Sequence, residues 1–237
     1  MNQKSEATLL RIVDALKTEL GGNIHSCYLY GSAVRGNAIE GVSDLNLLIV
    51  LDESNSAAHQ AVARVVKSFP KVSPFVLKKQ GFARSARAFA PKFASIRRHS
   101  RLLHGADVLA DLKSDVPMER FLCEQALRNL RLRLVHSFIT RAQHKSYDRF
   151  LTQQVTSFFV HFSEVLRLEG ITLPVDYTAR LPVLAREFKI DVLVLQDLLA
   201  LKGASCRFSE AEAIRWHDRV FPLVDTVLQW IEERWTA

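Results

Sequence analysis

The sequence predicts an α/β domain with a short mixed sheet, an α+β class overall, followed by an all-helical bundle. Three observations carry that reading. Short apolar runs bounded by Gly, Pro and Asp recur as far as Leu77. Segments with apolar residues three and four apart stand between them, as amphipathic helices require. Beyond about Pro117 the strand signals stop and only the helical period remains. These patterns divide the chain into residues 1–115 and 116–237.

The elements follow in order. Leu9, Val13, Leu16 and Leu20 share one helical face, and Gly21-Gly22 ends the pattern. A strand is expected at Ser26–Tyr30 and a second at Leu45–Leu51. The second is nearly continuous in Leu, Ile and Val, so both its faces should be covered. Ala57–Phe69 reads as a helix halted by Pro70, and Val72–Leu77 as a third strand. Pro91 suits the first turn of a helix running to Leu103, with Gly105 as its stop. Glu119–Ala142 and Phe150–Leu168 have the spacing of core-facing helices. Leu181–Phe188 and Val192–Leu201 are shorter ones. Ser209 and Glu212 form an S-x-x-E capping box for a last helix through Trp230, which Pro222 should kink.

Composition narrows the function classes. With 48% hydrophobic and 24% charged residues the chain should fold rather than stay disordered. No apolar run approaches the roughly 18 residues of a membrane span. The first ten residues lack the basic-then-apolar order of a signal peptide. Cys27, Cys123 and Cys206 are scattered and odd in number, which argues against a disulfide framework and for a reduced, cytoplasmic setting. The net charge of +7 is uneven, because no Asp or Glu occurs between Ser54 and Ala106. That stretch suits a polyanion such as nucleotide phosphate or nucleic acid. It would equally be a solvated basic surface neutralised by acidic groups elsewhere in the fold.

The chemistry concentrates in Tyr28–Leu51, YLYGSAVRGNAIEGVSDLNLLIVL. A strand ends in Gly31-Ser32, whose backbone amides suit a phosphate. The next strand opens with Asp44-Leu45-Asn46, whose first and third side chains point the same way. Arg35 has the planar fork that grips two phosphate oxygens. Each residue also has a plain structural role. Gly31 and Gly36 would permit a tight turn, Asp44 would cap it, and Arg35 would be a surface cation.

Strand, Gly-Ser, about a dozen residues and then Asp-x-Asp on a strand is the order of the DNA polymerase β-like nucleotidyltransferase superfamily. GSAVRGNAIEGVSDLNLLIV resembles it, most of all its small bacterial and aminoglycoside-type branch. FAPKFASIRRHSRLLHGADVLADL is similar to the linker that joins this domain to a helical one in bacterial members. The resemblance implies phosphate contacts at Gly31, Ser32 and Arg35, and catalytic, magnesium-binding positions at Asp44 and Asn46. It implies transfer of a nucleoside monophosphate, AMP from ATP, to a hydroxyl acceptor. The sequence departs from the family twice. Asn46 stands where a carboxylate is usual, and Val72–Leu77 offers no third one.

Two further readings stay beside the enzyme. One is a degenerate nucleotidyltransferase fold that binds a nucleotide or partner without turnover. The other, ranked third, is nucleic-acid binding by the basic stretch. Phe75, Phe82, Phe89 and Phe93, the aromatics nearest those cations, read as core rather than as a stacking surface. No GxSxG, Walker A or GxGxxG pattern is present. His161, in FFVHFSEVL, reads as a satisfied core histidine. Arg128, Arg131 and Arg133 read as the outer face of the bundle's first helix. Apolar residues on the bundle's exposed faces would suit a homodimer.

Overall fold

The structure, a computed structural model, describes residues 3–34, 44–144, 147–202, 204 and 206–235. It divides into two compact units, Met1–Asp115 and Val116–Ala237. The first runs α1 (Gln3–Leu20), β1 (Ile24–Tyr30), β2 (Leu45–Leu51), α2 (Ser56–Ser68), β3 (Val72–Lys78), α3 (Phe82–Ala88), α4 (Ala90–Arg98) and β4 (Ser100–Gly105). Among the described residues its strands form one mixed sheet in the order β3-β2-β1-β4. β2 pairs parallel with β3, while β1 pairs antiparallel with β2 and β4.

β2 is covered on both sides, as its unbroken apolar run requires. Leu47, Ile49 and Leu51 pack under α1 and α2 with Leu9, Ile12, Leu16, Val62 and Val65. Leu48 and Val50 turn to the other face, against Tyr28, Phe82, Phe93 and Ile96. Strand alternation thus sorts one sequence run between two cores. α2 begins where Asn55 accepts a hydrogen bond from the Ala58 amide at 2.9 Å, and it stops two residues before Pro70.

One element departs from expectation. The helix opened by Pro91 ends at Arg98, and Ser100–Gly105 pairs with β1 as the sheet's fourth strand. Sheet pairing satisfies the backbone there and outweighs the helical spacing of the side chains. Arg97 and Arg101 therefore do not share a helix face. Gly105 closes the strand at φ 83°, where an added Cβ would lie 2.0 Å from the His25 carbonyl oxygen. The stretch resembling an interdomain linker is thus partly integral to this unit, supplying α4 and β4. Phe89 also differs, at 54% exposed, whereas Phe82 and Phe93 are buried.

The second unit is helical among its described residues: α5 (Val116–Ile139), α6 (Arg141–His144), α7 (Tyr147–Leu168), α8 (Tyr177–Phe188), α9 (Val192–Ala200) and α10 (Glu210–Arg234). Its core gathers Leu127, Leu134, Phe158, Phe162, Phe188, Leu195 and Val224. Ser209 and Glu212 cap α10 reciprocally, as their spacing implied. α10 continues as one helix past Pro222. Arg128 and Arg131 of α5 are not idle surface cations. They reach Glu232 at 2.8 Å and Asp225 of α10, tying the two helices together. The centre of this unit also holds charge, because Arg167 bridges the buried carboxylates of Glu119 and Glu164. No helix among the described residues is long and apolar enough to cross a membrane.

Candidate functional site

The Gly-Ser turn lies at the end of β1, where Gly31–Ala33 forms a single 3-10 turn. Gly31 takes φ 87°, a region costly for any side chain. A Cβ on Gly31 would come within 3.2 Å of the Asn46 side-chain amide. The turn and the second polar position of β2 are therefore in contact. The Gly31 amide donates to the His99 carbonyl at 3.3 Å, so it already has a partner.

Asp44 is exposed and immediately precedes β2, while Asn46 is partly buried within it. Leu48 and Val50 share Asn46's parity, which places Asn46 on the sheet face covered by α3 and α4. The neighbouring strands complete a row across that face. Asn46 stands opposite Tyr30 of β1 and Ser73 of β3, and Tyr30 stands opposite Ser100 of β4. Burial raises the pKa of Tyr30, which keeps its phenol neutral. The row Ser73, Asn46, Tyr30 and Ser100 is polar and carries no formal charge.

This arrangement does not fit a two-ion centre. Magnesium at paired sites needs several hard anionic oxygens. The position beside Asn46 on β3, where a third carboxylate would stand, is Ser73. Among the described residues no three His, Cys, Asp or Glu side chains are grouped to hold a metal. Asp44 and Asn46 together offer one carboxylate and one amide oxygen. Of the expected site residues, Gly31, Ser32, Asp44 and Asn46 gather at this end of the sheet. Arg35 and Gly36 lie outside the described residues.

Sequence reasoning missed Lys92. It sits on α4 with its ammonium 3.6 Å from the centre of the Phe75 ring. Phe75 follows Ser73 on β3 and faces the same way. The period of α4 marks Phe93 and Ile96 as its buried face and leaves Lys92 on the flank, but only the β3 register places that flank near the row.

Five cations of the basic stretch meet carboxylates. Arg64 meets Glu19 at 2.7 Å, Lys78 meets Glu53 at 2.7 Å, Lys79 meets Asp52 at 3.7 Å, Arg87 meets Asp115 at 3.2 Å and Arg101 meets Glu6 at 2.8 Å. The acidic partners come from segments outside the acid-free run, which is why composition alone overstated the basic field.

The carboxylates of the helical unit are engaged as well. Glu169 takes Arg120 at 2.7 Å and the Trp235 indole at 2.6 Å, and Glu124 takes Arg128 at 2.7 Å. His161 departs from expectation, because its buried Nδ1 has no hydrogen-bond partner. Burial pushes its pKa down to about 4.

Residues 9–101 match the family model described as "Nucleotidyltransferase domain". That span begins within α1, which lies ahead of the Gly-Ser turn, and stops within β4. No curated protein matches the chain. Among solved structures the chain is similar to a spectinomycin adenyltransferase, AAD(9), from Enterococcus faecialis, determined with ATP and spectinomycin. The TM-score is 0.57 at 11% identity, covering 94% of this chain and 98% of that one. At that identity the likeness speaks to the fold. By the family match, residues 9–101 of the chain carry a nucleotidyltransferase domain of the DNA polymerase β-like superfamily.

Proposed function

We propose that this protein binds a nucleoside triphosphate, ATP, at the Gly31–Asn46 end of the sheet and transfers its nucleoside monophosphate to a hydroxyl acceptor. The observation that carries this reading is the left-handed Gly31 turn, which rests against Asn46 beside an exposed Asp44. In the proposed reaction the acceptor oxygen attacks the α-phosphorus. The bond from that phosphorus to the β-bridging oxygen breaks, pyrophosphate leaves, and the hydroxyl proton passes to water. Ser32 and Arg35 are proposed as phosphate contacts alongside the turn. Magnesium enters as the ion that accompanies the triphosphate. Asp44 would give it a carboxylate oxygen and Asn46 an amide oxygen, and bound there it would withdraw charge from the phosphates.

A specific observation favours a second reading, a nucleotide-binding module without turnover. The row beside Asp44 has no carboxylate, so charge balance for a second ion is missing. A turnover assay separates the two. ATP with magnesium, and spectinomycin as the probe acceptor because the neighbouring structure binds it, should yield pyrophosphate if the site transfers. The Asp44→Ala variant should lower that yield at least tenfold. ATP binding without any pyrophosphate release, across a panel of hydroxyl acceptors, would leave the binding module as the function.

A further inference from the structure

The carboxylate-poor row has a cation beside it. Lys92 stands over Phe75 from α4, and Phe75 is two residues along β3 from Ser73, the neighbour of Asn46. Lys92 and Ser95 lie three residues apart on one flank of α4, and His99 follows its last turn. The carbonyl of His99 accepts from the Gly31 amide, so α4 begins near Phe75 and ends beside the Gly-Ser turn.

Lys92 makes no ion pair among the described residues. Five other cations of the acid-free run meet a carboxylate, and this one has an aromatic face instead. Loss of surrounding water lowers its pKa, which is the mark of an ammonium with no anion beside it. A cation–π contact holds the head in place while leaving its donors open.

Resting on the reading of this sheet end as a nucleotide site, we infer that Lys92 binds the triphosphate, supplying from α4 the positive charge that the missing carboxylates leave no second metal to supply. Affinity for ATP should then have a part that survives removal of divalent ions.

The test is calorimetric titration of ATP into the full chain in EDTA and in magnesium, with wild type, Lys92→Met and Lys92→Arg. Methionine keeps an unbranched apolar stem on Phe75 and removes the charge. Arginine keeps the charge and preserves the fold should methionine disturb it. Wild type is expected to bind ATP in EDTA. Lys92→Met should bind about tenfold more weakly there, the size of one lost hydrogen bond to a charged group. Lys92→Arg should stay within about threefold of wild type, since it retains the charge. Equal affinities of wild type and Lys92→Met in EDTA would overturn the inference. So would binding by wild type in magnesium alone. Absence of ATP binding by wild type under both conditions would instead overturn the nucleotide site itself.

Discussion

Single residues at the sheet end show how little chemistry the backbone leaves to chance. Gly31 is required twice, by its positive φ and by the Asn46 amide that an added Cβ would meet at 3.2 Å. Gly31→Ala should cost roughly 1–2 kcal/mol of stability from the left-handed backbone alone. It should also weaken ATP binding at least tenfold by pushing Asn46 away, measured as an unfolding midpoint and a calorimetric Kd. His161 gives the clearest pH effect. Its pKa is about 4 in the folded chain, because burial disfavours the charged ring, against 6.5 ordinarily. Between those values the unfolded chain binds more protons, so stability falls as pH drops from 6.5 towards 4, and the whole penalty is present below about 4. The shift corresponds to roughly 3 kcal/mol. His161→Phe should shrink the gap in stability between pH 7 and pH 4 relative to wild type, as read by denaturant unfolding at each pH. An unchanged gap would mean the ring is solvated.

At the scale of elements, the strand from Ser100 to Gly105 shows where sequence reading stops. Its pattern LLHG, preceded by Arg101, is too short to carry a period, and the Pro91 helix runs straight into it. What decides is non-local: β1 has a free edge, and pairing there satisfies backbone groups that a longer helix would have satisfied internally. Gly105→Ala tests that pairing. Its Cβ would overlap the His25 carbonyl, so the substitution should cost roughly 3 kcal/mol or detach β4, seen as lost amide protection along Cys27–Tyr30. By contrast β2 and the α10 capping box were legible, because continuous apolar residues and an S-x-x-E spacing are local signals. In the helical unit, Arg167 holds two buried carboxylates from α5 and α7. Arg167→Met would remove the cation the two share and should destabilise by roughly 3 kcal/mol or more. Helix spacing could suggest Glu164, three residues from Arg167, but not Glu119, which lies far away in sequence.

At the scale of the whole molecule, the chain is two compact units with separate cores, and the candidate site belongs to the first. The order of Gly-Ser turn, Asp44 and Asn46 was readable because it sits in one continuous stretch. The row built from Ser73, Tyr30 and Ser100 was not, because strand register assembles it from three other strands. Lys92 was hidden for the same reason. Part of the basic stretch, read as a sign of a polyanionic partner, is engaged in pairs such as Arg101 with Glu6. A nucleic-acid surface accordingly gains no support from the fold, while a site for one triphosphate needs only a few cations. The central claim is that the end of this sheet holds ATP through Asp44 and the Gly31 turn. Calorimetric titration of ATP with magnesium into wild type and Asp44→Ala tests it most directly. Saturable binding by wild type, weakened at least tenfold in Asp44→Ala, is the predicted result, and no binding by wild type, or equal binding by both, would contradict it.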